Sequence, residues 1–188
     1  MIRRPKLQDA LDLAQATFLS GVRVEMGALA TQLDISQPTL YRWVGTREQL
    51  LDRVLERVTD EFLAVAIAEA EGDGDERVLD FVRSMMSATA AFQPALAFIA
   101  REPQLALRLV LAEAGAVHRS LARGLRTVIG ETRPPEEALA LESQVDLMIE
   151  VCTGLQWAAI AVGHDPRVEG AVEVVRALLA TGGRPGLA

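Results

Sequence analysis

Apolar residues recur at helical spacing along nearly the whole chain. Leu7, Leu11, Ala14 and Phe18 share one stripe, and Gly21 follows as a stop, so the spacing predicts an amphipathic helix over Leu7–Leu19. Met26, Leu29, Ala30 and Leu33 mark a second, short helix. Ser36 is a natural N-cap for a third, with Pro38 in its first turn, where a missing amide hydrogen does no harm, and Leu40 and Val44 turned inward. Thr46 and Gln49 form a capping box that opens a long helix to Ala70, with Leu50, Leu51, Val54, Leu55, Val58, Phe62 and Val65 on its apolar side. Gly72-Asp73-Gly74 ends it. Asp75 is placed to cap the next helix, Glu76 to Gln93, which aligns Phe81, Met85, Thr89 and Phe92. Pro94 opens a short helix containing Phe98, and Pro103 starts a helical region reaching about Gly130, with Gly115 and Gly124 as points of bending or division. After the loop Arg133-Pro134-Pro135, residues Glu136 to Val162 are apolar on two faces: Leu141, Val145, Met148, Cys152, Leu155 and Ala159 on one, Ile149, Thr153, Trp157 and Ile160 on the other. A helix wet on one side needs only one such face, so one is expected to meet the protomer's own interior and the other a partner. Val168, Val172, Val175, Leu178 and Leu179 form the last helix, and Thr181–Ala188 reads as a loose tail. No segment alternates with a strand's period, so the fold class is all-α.

The stretch Leu29–Leu50 carries the recognisable chemistry. It reads as helix, tight turn, short helix and the start of a third helix, with Asp34 at the turn, a residue that tolerates the left-handed conformation better than most non-glycines. Gln37, Thr39 and Arg42 lie off the buried face of the short helix and carry groups suited to base edges in a major groove. Arg47 stands at a helix N-terminus beside free backbone amides, an arrangement suited to phosphate. Arg3, Arg4 and Lys6 form a basic arm ahead of the first helix, read either as a solvated terminus or as a phosphate or minor-groove contact.

Leu29-Ala30, Asp34-Ile35, Ser36, Leu40-Tyr41 and Arg47 before Leu50-Leu51 give the segment Gly21–Leu51 a clear resemblance to the DNA-binding part of the TetR family of transcriptional regulators. The resemblance implies an N-terminal three-helix helix-turn-helix domain (residues 1–50) followed by a helical ligand-binding and dimerisation domain (51–180), with 181–188 as the tail. It implies a double-stranded DNA operator as partner, contacted by Arg4, Ser36, Gln37, Thr39, Tyr41, Arg42 and Arg47, and a homodimer formed through the helices 136–162 and 168–180. It also implies repression relieved by a small apolar effector. The run Tyr41-Arg42-Trp43-Val44-Gly45 and the acidic, Ala-rich remainder resemble members controlling the degradation of lactone signals, which would make the effector a lactone. Three departures stand out. Asp34 replaces the usual turn glycine, Trp43-Val44 a His-Phe-like pair, and Glu25 a threonine that caps its helix and touches phosphate. Glu25 is not carried over as a contact, because a carboxylate repels DNA.

Charge modifies this picture. The net charge of −7 and pI near 4.9 run against a nucleic-acid partner, yet residues 1–50 hold six Lys/Arg against five Asp/Glu and residues 51–188 thirteen against twenty-one. DNA binding would rest on a few placed cations. The single cysteine, Cys152, permits no intrachain disulfide and fits a reducing compartment, and no apolar run has the length of a membrane span, so the expected location is the cytoplasm, with no membrane partner.

The second half offers no catalytic constellation. His118, His164 and Cys152 stand in no metal-ligand spacing, so neither a metal nor a cofactor is expected, and no enzymatic activity. Phe81, Met85, Phe92, Phe98 and Met148 read singly as core; together with His118, Cys152 and Gln156 they are candidates for an apolar cavity between helices, with Gln156 as the orienting polar group. Two other readings use the same helices: a structural or partner-binding helical protein, and a small helical enzyme with an accessory helix-turn-helix.

Overall fold

The computed structural model describes residues 5–113 and 115–182, and every regular element among them is an α-helix. Helices α1 (Leu7–Leu19), α2 (Met26–Gln32) and α3 (Gln37–Val44) form the head. Between α2 and α3, Asp34 takes φ 52°, and the amide of Ile35 reaches back to the carbonyl of Ala30 at 3.0 Å to close the turn. Ser36 caps α3, its Oγ accepting from the amide of Thr39 at 3.4 Å. Gly45, at φ 75°, ends α3 and hands the chain to the capping box of α4 (Arg47–Glu69), in which the amide of Thr46 donates to Gln49 Oε1 at 2.8 Å and the amide of Gln49 to Thr46 Oγ1 at 3.2 Å.

The body contains α5 (Asp75–Ala91), α6 (Gln93–Arg101), α7 (Pro103–Val110), α8 (Ala116–Thr132), α9 (Pro135–Ala140), α10 (Glu142–Ala161) and α11 (Val168–Gly182). Asp75 lies inside the first turn of α5, and Gly74, at φ 56°, takes the cap position expected for it. The helical region after Pro103 divides ahead of Ala116, whereas Gly124 sits unbroken within α8. The single helix expected over Glu136–Val162 is two, parted at Leu141. Thr181 and Gly182 belong to α11, so the first two residues of the expected tail are helical, and 183–188 lie outside the described residues.

Two buried clusters share α4. Its first half, from Leu50 to Val58, packs with Phe18, Leu29 and Leu40 of the head and with Ile99 and Leu109 of α6 and α7. Its second half contributes Leu63 and Ala66 to a cluster with Leu79, Leu125, Met148, Val175 and Leu179. Val65, expected on the apolar stripe, is instead 55% exposed, because the second half of α4 buries the side that meets α8. At that crossing Gly124 makes the close approach possible: a Cβ there would lie 2.4 Å from Leu63 Cδ2.

The outcome for α10 differs from the two-face expectation. Val145 and Met148 of one stripe and Ile149, Thr153 and Trp157 of the other are all buried in the protomer's own interior. The exposed apolar residues form a different set, Leu147, Ala158 and Val162, with Val174 on α11. Residues of both named stripes thus face inward, while Leu155, Ala159 and Ile160 towards the end of the helix are half-buried.

Gly124→Val should destabilise the protein by about 1–3 kcal/mol in urea denaturation, since the added methyls meet Leu63. Gly130→Ala, six residues along the same helix with open space around it, should stabilise by about 0.5–1 kcal/mol. Equal responses would mean that α4 and α8 do not cross at Gly124.

Candidate nucleic-acid interface and effector cavity

Helix α3 offers its polar face to solvent. Ser36, Gln37 and Arg42 are exposed and Thr39 is half-buried, while Leu40 and Val44 anchor the helix from behind. Tyr41 is 46% exposed, which sets its ring on the surface rather than in the core. Trp43 is half-buried against the head's core. Among the described residues Arg42 has no ion-pair partner, so its guanidinium is available to a ligand outside the chain. Arg4 lies outside the described residues. Glu25 pairs with Arg23 Nε at 2.9 Å, in keeping with its omission as a DNA contact.

Arg47 departs from its expected place at a phosphate. Its Nε donates to the carbonyl of Val24 at 2.6 Å, and its two terminal nitrogens grip both oxygens of Glu102 at 2.8 and 2.7 Å. A bidentate carboxylate and a carbonyl satisfy the guanidinium inside the protein, turned from the surface that carries Arg42. Arg23 Nε stands 3.4 Å from the same carboxylate. The hydrogen bonds from Arg47 hold the Glu102 carboxyl below the usual carboxylate range, against the opposing effect of burial. Nothing in the sequence links the two, since 55 positions separate them.

Glu102 closes α6, and α6 has the head on one side. Phe18 of α1 meets Phe98 edge-on with ring centroids 5.8 Å apart, and Phe92, where α5 meets α6, at 6.4 Å; Phe92 in turn meets Phe62 of α4 at 4.8 Å. Arg101 Nη2 donates to the carbonyl of Gly21 at 2.9 Å. On the other side α6 walls a cavity.

That cavity lies between α4, α5, α6, α7, α8 and α10 and has a volume of about 100 Å³, room for a small apolar group before its walls move apart. Phe81, Met85, Phe92, Phe98, Met148, Cys152 and Gln156 all line it, seven of the eight residues expected from sequence. The eighth is corrected: His118 does not line the cavity but is buried where α8 meets α10, its Nε2 3.2 Å from Asp146 Oδ1, beside Arg119 and Arg123. Position on an apolar helix did not reveal which face His118 takes. Sequence reasoning missed further lining residues, Thr59, Leu121 and Leu125 among them, which carry no signal beyond ordinary helical spacing. Gln156 is buried, and its Nε2 donates to the carbonyl of Met86 at 2.7 Å. Burial pushes the Cys152 thiol up to about 12. No cluster of potential metal ligands occurs among the described residues, and no helix among them is long and apolar enough to cross a membrane.

A helix-turn-helix head joined through one long helix to a helical body defines a class of helix-turn-helix DNA-binding proteins. Residues 73–180 match the model of the tetracyclin repressor-like C-terminal domain, and the chain belongs to the TetR family of transcriptional regulators, whose members bind DNA operators and dimerise. The fold is similar to that of the TetR-family transcriptional repressor QsdR of R. erythropolis, at 24% identity and TM-score 0.84, covering 93% of this chain and 94% of that one. It is also similar to the TetR-family repressor AlkX of Dietzia sp., implicated in biodegradation of n-alkanes, at 17% identity and TM-score 0.59, covering 97% of each chain. A tetR-family regulator from Streptomyces coelicolor matches at 19% identity and TM-score 0.51, over 97% of this chain and 83% of that one. No curated protein sequence matches the chain significantly.

Two expectations follow from the geometry. Glu102→Gln should cost about 1.5–3 kcal/mol at neutral pH in urea denaturation. A carboxyl held low in the folded state stabilises above its unfolded value and loses that contribution as pH falls through the lowered one, so variant and wild type should converge in acid. A pH-independent difference would remove the ion pair as its source. Separately, a thiol at about 12 instead of 9.0 holds on the order of a thousandfold less thiolate at neutral pH. Cys152 in native protein should therefore react with Ellman's reagent at least about a hundredfold more slowly than in urea-unfolded protein. Comparable rates would place Cys152 outside the buried lining.

Proposed function

We propose that the chain is a homodimeric transcriptional repressor released from a palindromic operator when a small apolar molecule fills the cavity. The observation carrying this reading is that α6 is shared: Phe98 lines the cavity and touches Phe18 of the head, and Glu102 at the end of the same helix holds Arg47 at the start of α4. A molecule that repositions α6 bears on the head through both contacts. Its effect is the difference between its affinities for the two arrangements. Residues 1–50 act as the reading head and 51–180 as the effector-binding and dimerisation domain.

On DNA, Gln37, Thr39 and Arg42 read base edges while Ser36, Tyr41 and the arm residue Arg4 contact phosphate or minor groove. One short helix reads too few base pairs alone. Two heads spaced about 34–36 Å apart, or a multiple, read a palindrome. The helices over 136–162 and 168–180 join the protomers, with Leu147, Val162 and Val174 among the exposed apolar residues available to that contact. The apolar lining favours an apolar effector, either a lactone with an alkyl chain or a hydrocarbon of the kind whose degradation AlkX is implicated in, for which the walls would have to part. The protein works in the cytoplasm, without cofactor and without catalysing a reaction.

Titrating the protein against its own upstream DNA should give salt-sensitive, sequence-selective binding, weakened about 5–150-fold by a medium-chain lactone or hydrocarbon. Arg42→Ala should relax preference at one base pair per half-site by about 1–3 kcal/mol in a binding-site selection. Binding without selectivity, or selectivity untouched by Arg42→Ala, would overturn the assignment of α3 as reader through this residue.

A further inference from the structure

We propose that the cavity takes an uncharged amphiphile, an apolar chain bearing one neutral polar head that hydrogen-bonds the Gln156 side-chain amide, and that it rejects the carboxylate of the same chain. The inference rests on the reading of this cavity as the effector site and specifies the ligand that site selects.

The charge argument is direct. Among the described residues lining the cavity there is no Arg, Lys, His, Asp or Glu, so a buried carboxylate or ammonium would meet no counter-ion. An ion moved from water into such a lining loses its hydration with nothing to replace it. The cavity's few polar groups are neutral: the hydroxyls of Thr59, Thr89 and Thr153, the Cys152 thiol and the Gln156 amide. Thr89 donates its hydroxyl hydrogen to the carbonyl of Met85 at 2.8 Å, and Thr153 to that of Ile149 at 2.7 Å, leaving lone pairs that repel a carboxylate.

Gln156 is different. One hydrogen of its Nε2 goes to the carbonyl of Met86, which fixes the amide plane by a contact between α10 and α5. The second hydrogen remains, and no hydrogen bond among the described residues engages Oε1, which keeps some accessible surface in a residue only 4% exposed. A buried amide with one donor and one acceptor to spare, in a wall whose other oxygen-bearing side chains are three threonines, is an anchor for a single neutral head. The Met86 carbonyl holds it in place before any ligand arrives, so little ordering is required on binding. Trp157, one residue on, lines the same space and reports its occupancy.

The test uses the full-length protein carrying Trp43→Phe, which leaves Trp157 as the sole tryptophan. Its fluorescence is titrated at pH 8 with octanamide, octanoate and octane. Octanamide should bind at least about tenfold more tightly than octanoate, the equivalent of one hydrogen bond or more. Gln156→Met, close in size and without the amide, should bring the octanamide-to-octane affinity ratio down about tenfold while octane still binds. A purely structural loss at Gln156 would weaken both probes together and leave the ratio unchanged. Octanoate binding as tightly as octanamide, or a ratio untouched by Gln156→Met, overturns the head-group inference alone. Failure of all three probes to alter Trp157 overturns the effector cavity itself, and with it the ligand arm of the functional reading.

Discussion

Helix α6 is a wall with different neighbours on its two sides, and the relation between head and body depends on it. It is only nine residues long, from Gln93 to Arg101, yet Phe98 touches the head and lines the cavity, and Arg101 and Glu102 at its end bond to the head's backbone and to Arg47. Each contact is modest alone. Together they tie a short helix to two bodies at once, and packed interiors of this kind switch between arrangements more readily than they stretch. The ring contacts are apolar and tolerant of tilt, whereas the bidentate pair between Arg47 and Glu102 is strict about angle. A rotation of α6 would therefore keep the first and strain the second.

That use of Arg47 alters the electrostatics of the head. Residues 1–50 have only six cations, and one of them is spent inside the protein on Glu102. Arg23 is drawn to Glu25 and to the same carboxylate. Arg42 is left on the reading surface without an internal partner among the described residues. A head this sparsely charged gains little from a diffuse field, and the salt dependence of its affinity comes from the few phosphates it contacts, counted over both heads of a dimer. Specific placement of α3 in a groove, duplicated across a dimer, carries correspondingly more weight.

The elements were legible where local physics decides them. The bounds of α1, the turn at Asp34, the cap at Ser36 and the Thr46 capping box depend on neighbours within four positions, and each is found where the residues require it. Seven of the cavity's lining residues were legible too, because stripes of Phe and Met on several helices must converge somewhere. What stayed hidden involves partners far apart in the chain. Glu102 meets Arg47, Leu63 rather than Val65 meets α8 at Gly124, and His118 turns from the cavity to Asp146 across 28 positions. Periodicity fixes which residues share a helix face. It does not say which neighbour that face meets.

Helix α10 shows where that limit matters most. Its two sequence stripes were assigned to opposite sides, yet Met148, Cys152, Thr153 and Trp157 all border the one cavity, because six helices surround a space wider than a single stripe. The outward set, Leu147 at 45% and Val162 at 68% exposure, was hidden among the remaining positions. A monomer would leave those side chains in water beside Val174 of α11, an apolar surface of the sort that marks an interaction site. The inference of a partner from an excess of apolar residues on this helix therefore keeps its force although the faces were misassigned, since the excess is real and only its distribution differs. It also places Gln156 and the outward residues on one rigid rod, so whatever seats against the cavity side of α10 shares a helix with the surface that a second protomer would cover.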